Sequence, residues 1–134
     1  AFMEVNAKTA NTTALAYIGD AVYEVYIRKY VLGDAPAGVN RMNRRVIRYV
    51  CADGQAKIAK ELVKGFLSED EIKLLKRGRN NTKTPKPRGS SPVDYKMATG
   101  FEALIGYLHL NGNVKRLEEI IRESIEIIER EGNL

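Results

Sequence analysis

The chain has 134 residues, a mass of 15.0 kDa and a formal net charge of +5, enough for one domain with a real hydrophobic core. Hydrophobic residues at 44% and charged residues at 29% exclude a disordered chain, and no apolar run approaches the roughly 20 residues that cross a bilayer. No N-terminal signal peptide is legible, and the single cysteine, Cys51, excludes an internal disulfide framework and a Cys-rich zinc site. A soluble, intracellular, moderately basic domain is expected, with Cys51 as a small buried hydrophobe.

The pattern is helical nearly throughout. Residues 14–31 place Leu15, Ile18, Val22, Val25 and Tyr26 at three- and four-residue spacing, with Gly33 as a stop. Residues 40–51 put Met42, Val46, Tyr49 and Val50 on one face, and Asp53-Gly54 suggests a break after them. A third helix over 55–64 carries Ile58, Ala59, Leu62 and Val63. Ser68 and Glu71 have the spacing of a capping box, which starts a fourth helix through Ile72 and Leu75 to about Gly78. Residues 79–92 hold three prolines and no other apolar residue, and read as a basic loop. Ser91-Pro92 then supplies a cap and a first-turn proline to a helix bearing Met97, Phe101, Leu104, Ile105 and Leu108. After Asn111-Gly112-Asn113, with Asn113 as a possible cap, Leu117, Ile120, Ile121, Ile125 and Ile128 mark the last helix. No strand and no internal repeat is visible, so the predicted class is all-α, one domain over 1–134 with its core at about 12–130.

Charge is distributed unevenly. From Lys73 to Val93 there are seven basic residues (Lys73, Lys76, Arg77, Arg79, Lys83, Lys86 and Arg88) and no acidic one, while Arg41, Arg44, Arg45 and Arg48 line one side of the second helix. The last helix is net acidic. Two such clusters, one on a proline-rich loop, point to a polyanionic partner.

No glycine-rich phosphate loop is present. Gly19, Gly100 and Gly106 stand alone inside helices, where each costs about 1 kcal/mol against alanine, and their expected role is close helix packing. His109, the only histidine, is read as structural. The carboxylates are more informative. Asp20 and Glu24 lie one turn apart in an apolar stretch, and Glu102 is set among Phe101, Ala103, Leu104 and Ile105. A charge in such surroundings is costly without compensation. Carboxylates converging from two helices would form a hard oxygen site for magnesium, which needs only one or two protein carboxylates beside phosphate oxygens and supports phosphodiester hydrolysis.

The run Ala14-Leu15-Ala16-Tyr17-Ile18-Gly19-Asp20-Ala21 resembles the signature helix of the ribonuclease III family. Phe101-Glu102-Ala103-Leu104-Ile105-Gly106, about 80 residues later, resembles that family's second acidic motif. The run Leu75-Lys76-Arg77-Gly78-Arg79-Asn80 and the short chain resemble the mini-ribonuclease III branch, which has the catalytic domain without a double-stranded RNA-binding domain. The resemblance implies a homodimeric, all-α ribonuclease III endonuclease-like domain in which Asp20 and Glu102 are the catalytic and metal-binding residues. It implies magnesium, with manganese as a substitute, and it places at Tyr17 an aromatic that inserts into the partner subunit. Glu24 is a possible assistant through water. Ala16 and Thr99 stand where full-length members carry further acids, as they do in the branch that this sequence resembles. The implied activity is cleavage of double-stranded RNA in the maturation of large-subunit (23S) ribosomal RNA precursor, in the bacterial cytoplasm and away from any membrane. The assistance of ribosomal proteins is left open. Lys76, Arg77, Arg79, Asn80, Lys83, Lys86 and Arg88, with Arg41, Arg44, Arg45 and Arg48, would then grip the duplex. The alternatives from the residues are a catalytically impaired RNA-binding module acting in ribosome assembly, and a helical DNA-binding or protein-interaction domain.

Overall fold

The computed structural model describes residues 3–82 and 91–132. They form six helices: α1 (Thr12–Asp34), α2 (Val39–Val50), α3 (Ala52–Leu62), α4 (Glu69–Asn80), α5 (Pro92–Leu110) and α6 (Val114–Gly132). No strand occurs among the described residues, and no helix among them is long and apolar enough to cross a membrane.

The central element is α5, which packs against α1, α3, α4 and α6. Met97, Phe101, Leu104, Ile105 and Leu108 are buried as expected, and so are Ala98, Ala103 and the two glycines. A helix covered on several sides needs apolar residues around most of its circumference, and α5 has them. Small residues then decide how closely its neighbours approach. A β-carbon on Gly100 would stand 2.4 Å from the Leu75 carbonyl oxygen, and one on Gly78 would stand 2.9 Å from Ala103 Cβ. Gly78 is therefore a packing residue inside α4 rather than its end, and the helix continues through Arg79 and Asn80.

The helix starts are capped locally. Ser68 Oγ accepts from the Glu71 N–H at 3.2 Å and the Glu71 carboxylate accepts from the Ser68 N–H at 2.9 Å, the reciprocal pair expected at α4. Ser91 Oγ accepts from the Asp94 N–H at 3.0 Å, with Pro92 in the first turn of α5. At α6, the Asn113 carbonyl accepts from the Leu117 N–H, while its side-chain oxygen accepts from the Asn111 amide.

Besides the end of α4, two boundaries differ from the sequence reading. Helix α1 runs through Gly33 to Asp34 and is capped at Ala35. The α2–α3 break falls at Cys51 rather than at Asp53-Gly54, which lie in the first turn of α3. Half-buried Cys51 is itself the cap: its sulfur accepts from the Gly54 N–H at 3.3 Å. Val25, expected in the core, is exposed, because α1 offers α5 the face carrying Leu15, Gly19, Tyr23 and Ile27. His109 lies exposed in the last turn of α5.

The periphery is tied by polar contacts. Tyr30 and Tyr49 both donate to the Glu129 carboxylate, and Arg45 pairs with Asp34 at 3.1 Å, linking α1, α2 and α6. Across the core, buried Tyr23 meets Phe101 edge to face at 5.0 Å and donates to the Tyr49 carbonyl at 3.1 Å.

Candidate active site

The signature helix and the second acidic motif meet where α1 crosses α5. A β-carbon on Gly106 would stand 1.9 Å from the Leu15 carbonyl oxygen, so only two glycine-faced helices approach this closely. Asp20, which follows Gly19, and Glu102, one turn before Gly106, are thereby brought together.

Asp20 is exposed, in contrast to the buried acid that its apolar neighbours suggested, whereas Glu102 is half-buried. Burial raises the Glu102 carboxyl well above the usual carboxylate range. A hydrogen bond shared with Asp20 and the Asp20 charge raise it further, against an opposing contribution from the Gln55 amide. Two acids in this arrangement share a proton or need a cation to be ionised together. The pair opens on a cleft of about 230 Å³ whose lining includes Ala16, Tyr17, Thr82, Tyr95 and Thr99.

Two carboxylates facing a cleft with room for water and a phosphate match the needs of magnesium. The pair, one carboxyl exposed and one half-buried at the cleft, thus fits the ion that the sequence implied. No group of three or more acidic, histidine or cysteine side chains is arranged around a metal position among the described residues. The positions of the absent family acids are occupied by Ala16, which is buried, and by Thr99, whose hydroxyl donates to the Tyr95 carbonyl at 3.0 Å. Glu24 is directed elsewhere: its carboxylate pairs with Arg28 at 2.6 Å.

The other expected residues fall in two groups. The α4 C-terminus borders the cleft, since Gly78 and Thr82 line it. There Lys76, Arg77 and Asn80 are exposed and Arg79 is half-buried, with its Nε donating to the Asn80 side chain. The α2 arginines do not line the cleft. Arg41 and Arg44 are exposed, Arg45 holds Asp34, and Arg48 lies against Gly132 at the end of α6. Lys83, Lys86 and Arg88 lie outside the described residues. Tyr17 is 84% exposed at the cleft mouth. Sequence reasoning missed Gln55, Thr82 and Tyr95. A polar side chain on the apolar face of Ala56, Ala59 and Leu62 was the available signal for Gln55.

The ribonuclease III domain model matches residues 13–113. The chain is 43% identical over 129 residues to Mini-ribonuclease 3 of Clostridium tetani, covering 96% of this chain and 85% of that protein. It is 40% identical over 125 residues to Mini-ribonuclease 3 of Symbiobacterium thermophilum, covering 93% and 95%. The fold superposes on the crystal structure of protein FN1578 from Fusobacterium nucleatum with a TM-score of 0.79 at 31% identity, over 94% of this chain and 96% of that one. With both acidic motifs joined in one cleft, the chain belongs to the ribonuclease III family of endoribonucleases, in the branch of the Mini-ribonuclease 3 proteins.

Proposed function

We propose that this endoribonuclease cleaves double-stranded RNA with magnesium, and that its substrate is the large-subunit (23S) ribosomal RNA precursor in the bacterial cytoplasm. The carrying observation is the Asp20–Glu102 pair across the α1–α5 crossing. The family resemblance supplies the identity of the RNA.

Asp20 and Glu102 would hold the cation, which when bound neutralises phosphate charge and acidifies water. Asp20, on the exposed side, meets solvent and substrate, while Glu102 anchors the pair from within. The hydroxyls of Thr82 and Tyr95 line the same cleft and offer neutral donors to a sugar-phosphate backbone. The only histidine, His109, and Cys51 both lie outside the cleft lining, which agrees with hydrolysis that uses no protein nucleophile.

Duplex binding falls to the basic residues at the end of α4 and on α2, together with Lys83, Lys86 and Arg88. Double-stranded RNA is read mainly through phosphate and 2′-hydroxyl contacts, which basic side chains supply. A homodimer would place two such clefts on one duplex. In its support, Tyr17, Ala21, Val25 and Leu32 lie on one exposed side of α1 that begins at the cleft, with Arg28 among them.

Incubation of long double-stranded RNA with the protein, with Asp20→Asn and with Glu102→Gln, each with and without magnesium, tests the reading. Magnesium-dependent cleavage by the parent and its loss by at least about a hundredfold in both variants is expected. Duplex binding without cleavage by any of the three would favour the RNA-binding module. Equal cleavage by the Asp20 variant would remove that residue from the reaction.

A further inference from the structure

Gln55 is the feature of the core that packing alone does not explain. It lies on the buried face of α3 at 1% exposure, among Ala56, Ile58, Ala59 and Leu62. Its Nε2 is fully buried and has no hydrogen-bond partner among the described residues. An amide donor in that position is a cost that leucine would avoid. The start of α3 is also held firmly. Cys51 caps it, and Gly54 sits so close to α2 that a β-carbon there would meet the Arg48 carbonyl oxygen at 2.4 Å. The side chain that follows reaches across the α3–α5 interface beside the Glu102 carboxyl, without an aligned hydrogen bond to it.

We propose that Gln55 is a positioning residue for the active site: its buried amide donates to the Glu102 carboxylate when that carboxylate holds a divalent cation, and so fixes the carboxylate's orientation. The donor is unpartnered in the metal-free site, and would acquire its partner once Glu102 holds a cation. Outer groups that orient a ligand typically change metal affinity or activity by 10–100-fold when removed. The inference rests on the reading that Asp20 and Glu102 hold the cation.

The test uses Gln55→Leu and Gln55→Met, which keep the volume and remove the donor. Three quantities are measured: manganese binding without RNA by electron paramagnetic resonance, kcat and KM on duplex RNA, and the melting temperature of the metal-free protein. Manganese affinity about tenfold or more weaker, with kcat reduced, KM for RNA unchanged and the metal-free melting temperature equal or higher, supports the assignment. Unchanged manganese affinity and kcat in the folded variants overturns it. So does a fall in affinity accompanied by a lowered melting temperature in both variants, which describes a purely structural residue. Glu102→Gln, run in parallel, separates this failure from that of the underlying reading. If Glu102→Gln binds manganese as the parent does, the cation assignment itself fails. If Glu102→Gln alone loses binding, only the role of Gln55 fails.

Discussion

Gly19 and Glu102 touch through their backbones: a β-carbon on Gly19 would stand 1.8 Å from the Glu102 carbonyl oxygen and 2.8 Å from the Gly106 nitrogen. The residue that follows Gly19 is the acid that pairs with Glu102, so the contact that closes the core also assembles the active site. Gly19→Ala is expected to cost about 3 kcal/mol or more, since backbone cannot yield as a flexible side chain does, and to abolish cleavage even in the folded fraction. Gly33 lies in the same helix with open space around it. Gly33→Ala should therefore stabilise by about 0.5–1 kcal/mol through helix propensity and reduced unfolded-state entropy. Urea titrations of the two variants check both signs.

A second prediction concerns the corner between α4 and α6. Arg116 donates from Nε and from a terminal nitrogen to the two Glu71 carboxylate oxygens, each at 2.8 Å, and from that terminal nitrogen to the Phe66 carbonyl at 2.9 Å. Both side chains are mostly buried. The Arg116 bond, with the Ser68 cap, holds the Glu71 carboxyl below the usual carboxylate range despite its burial. The folded state thus favours the ionised acid. Its stabilisation is fully present above the unfolded value near 4.5 and is lost as pH falls through the lowered folded value. Glu71→Gln should cost about 2 kcal/mol at neutral pH, as expected for a charge-assisted pair with one partner removed. The difference from the parent should shrink steadily below pH 4.5. Melting curves from pH 7 to pH 3 measure it, and a pH-independent gap would contradict the assigned cause.

The fold was legible in the sequence where periodicity and caps act locally. The capping box of Ser68 and Glu71, the Ser91-Pro92 start and the apolar face of α5 can all be read from neighbouring residues. The misplaced ends share one physical origin. Gly33, Gly54 and Gly78 look like breaks in one dimension. In three dimensions Gly54 and Gly78 are contact points and Gly33 merely faces open space. The acidic pair was visible as two motifs, but its asymmetry was not. Exposure of Asp20 and burial of Glu102 depend on which side of the α1–α5 crossing each occupies. Gln55 shows in the sequence only as a polar residue on the apolar face of α3, and what that residue meets lies across a helix interface.

The exposed stripe on α1 leads to a third prediction. Tyr17 is 84% exposed, with Val25 at 56% and Leu32 at 55%, large apolar groups on one side of α1 that share that side with Arg28. With this side of α1 as the dimer seam, Tyr17→Ala should weaken self-association by at least about tenfold, because a few buried aromatics carry most of an interface's energy. Sedimentation velocity over a concentration series reads the change. The same variant should retain its melting temperature at concentrations where the parent is monomeric, since Tyr17 contributes little to the monomer core. A parent that stays monomeric throughout would exclude this seam.

The two basic clusters differ in what else they do, and that difference yields the last prediction. On α2, Arg45 pairs with Asp34 and lies over the Tyr30 ring at 6.0 Å, so its removal should lower the melting temperature as well as any RNA affinity. Lys76 and Arg77 at the end of α4, and Arg41 and Arg44 on α2, are exposed, so their loss should leave folding intact. Each phosphate contact removed from a duplex complex flattens the slope of log affinity against log salt by nearly one. The pair Lys76→Ala and Arg77→Ala should therefore weaken RNA binding at low salt and flatten the slope by about two. Arg41→Ala with Arg44→Ala should do the same if the α2 face also meets the duplex. Binding measured from 50 to 300 mM salt distinguishes the clusters. A flattened slope for the α4 pair alone would confine the RNA face to the cleft side, and an unchanged slope for both would leave the grip to Lys83, Lys86 and Arg88.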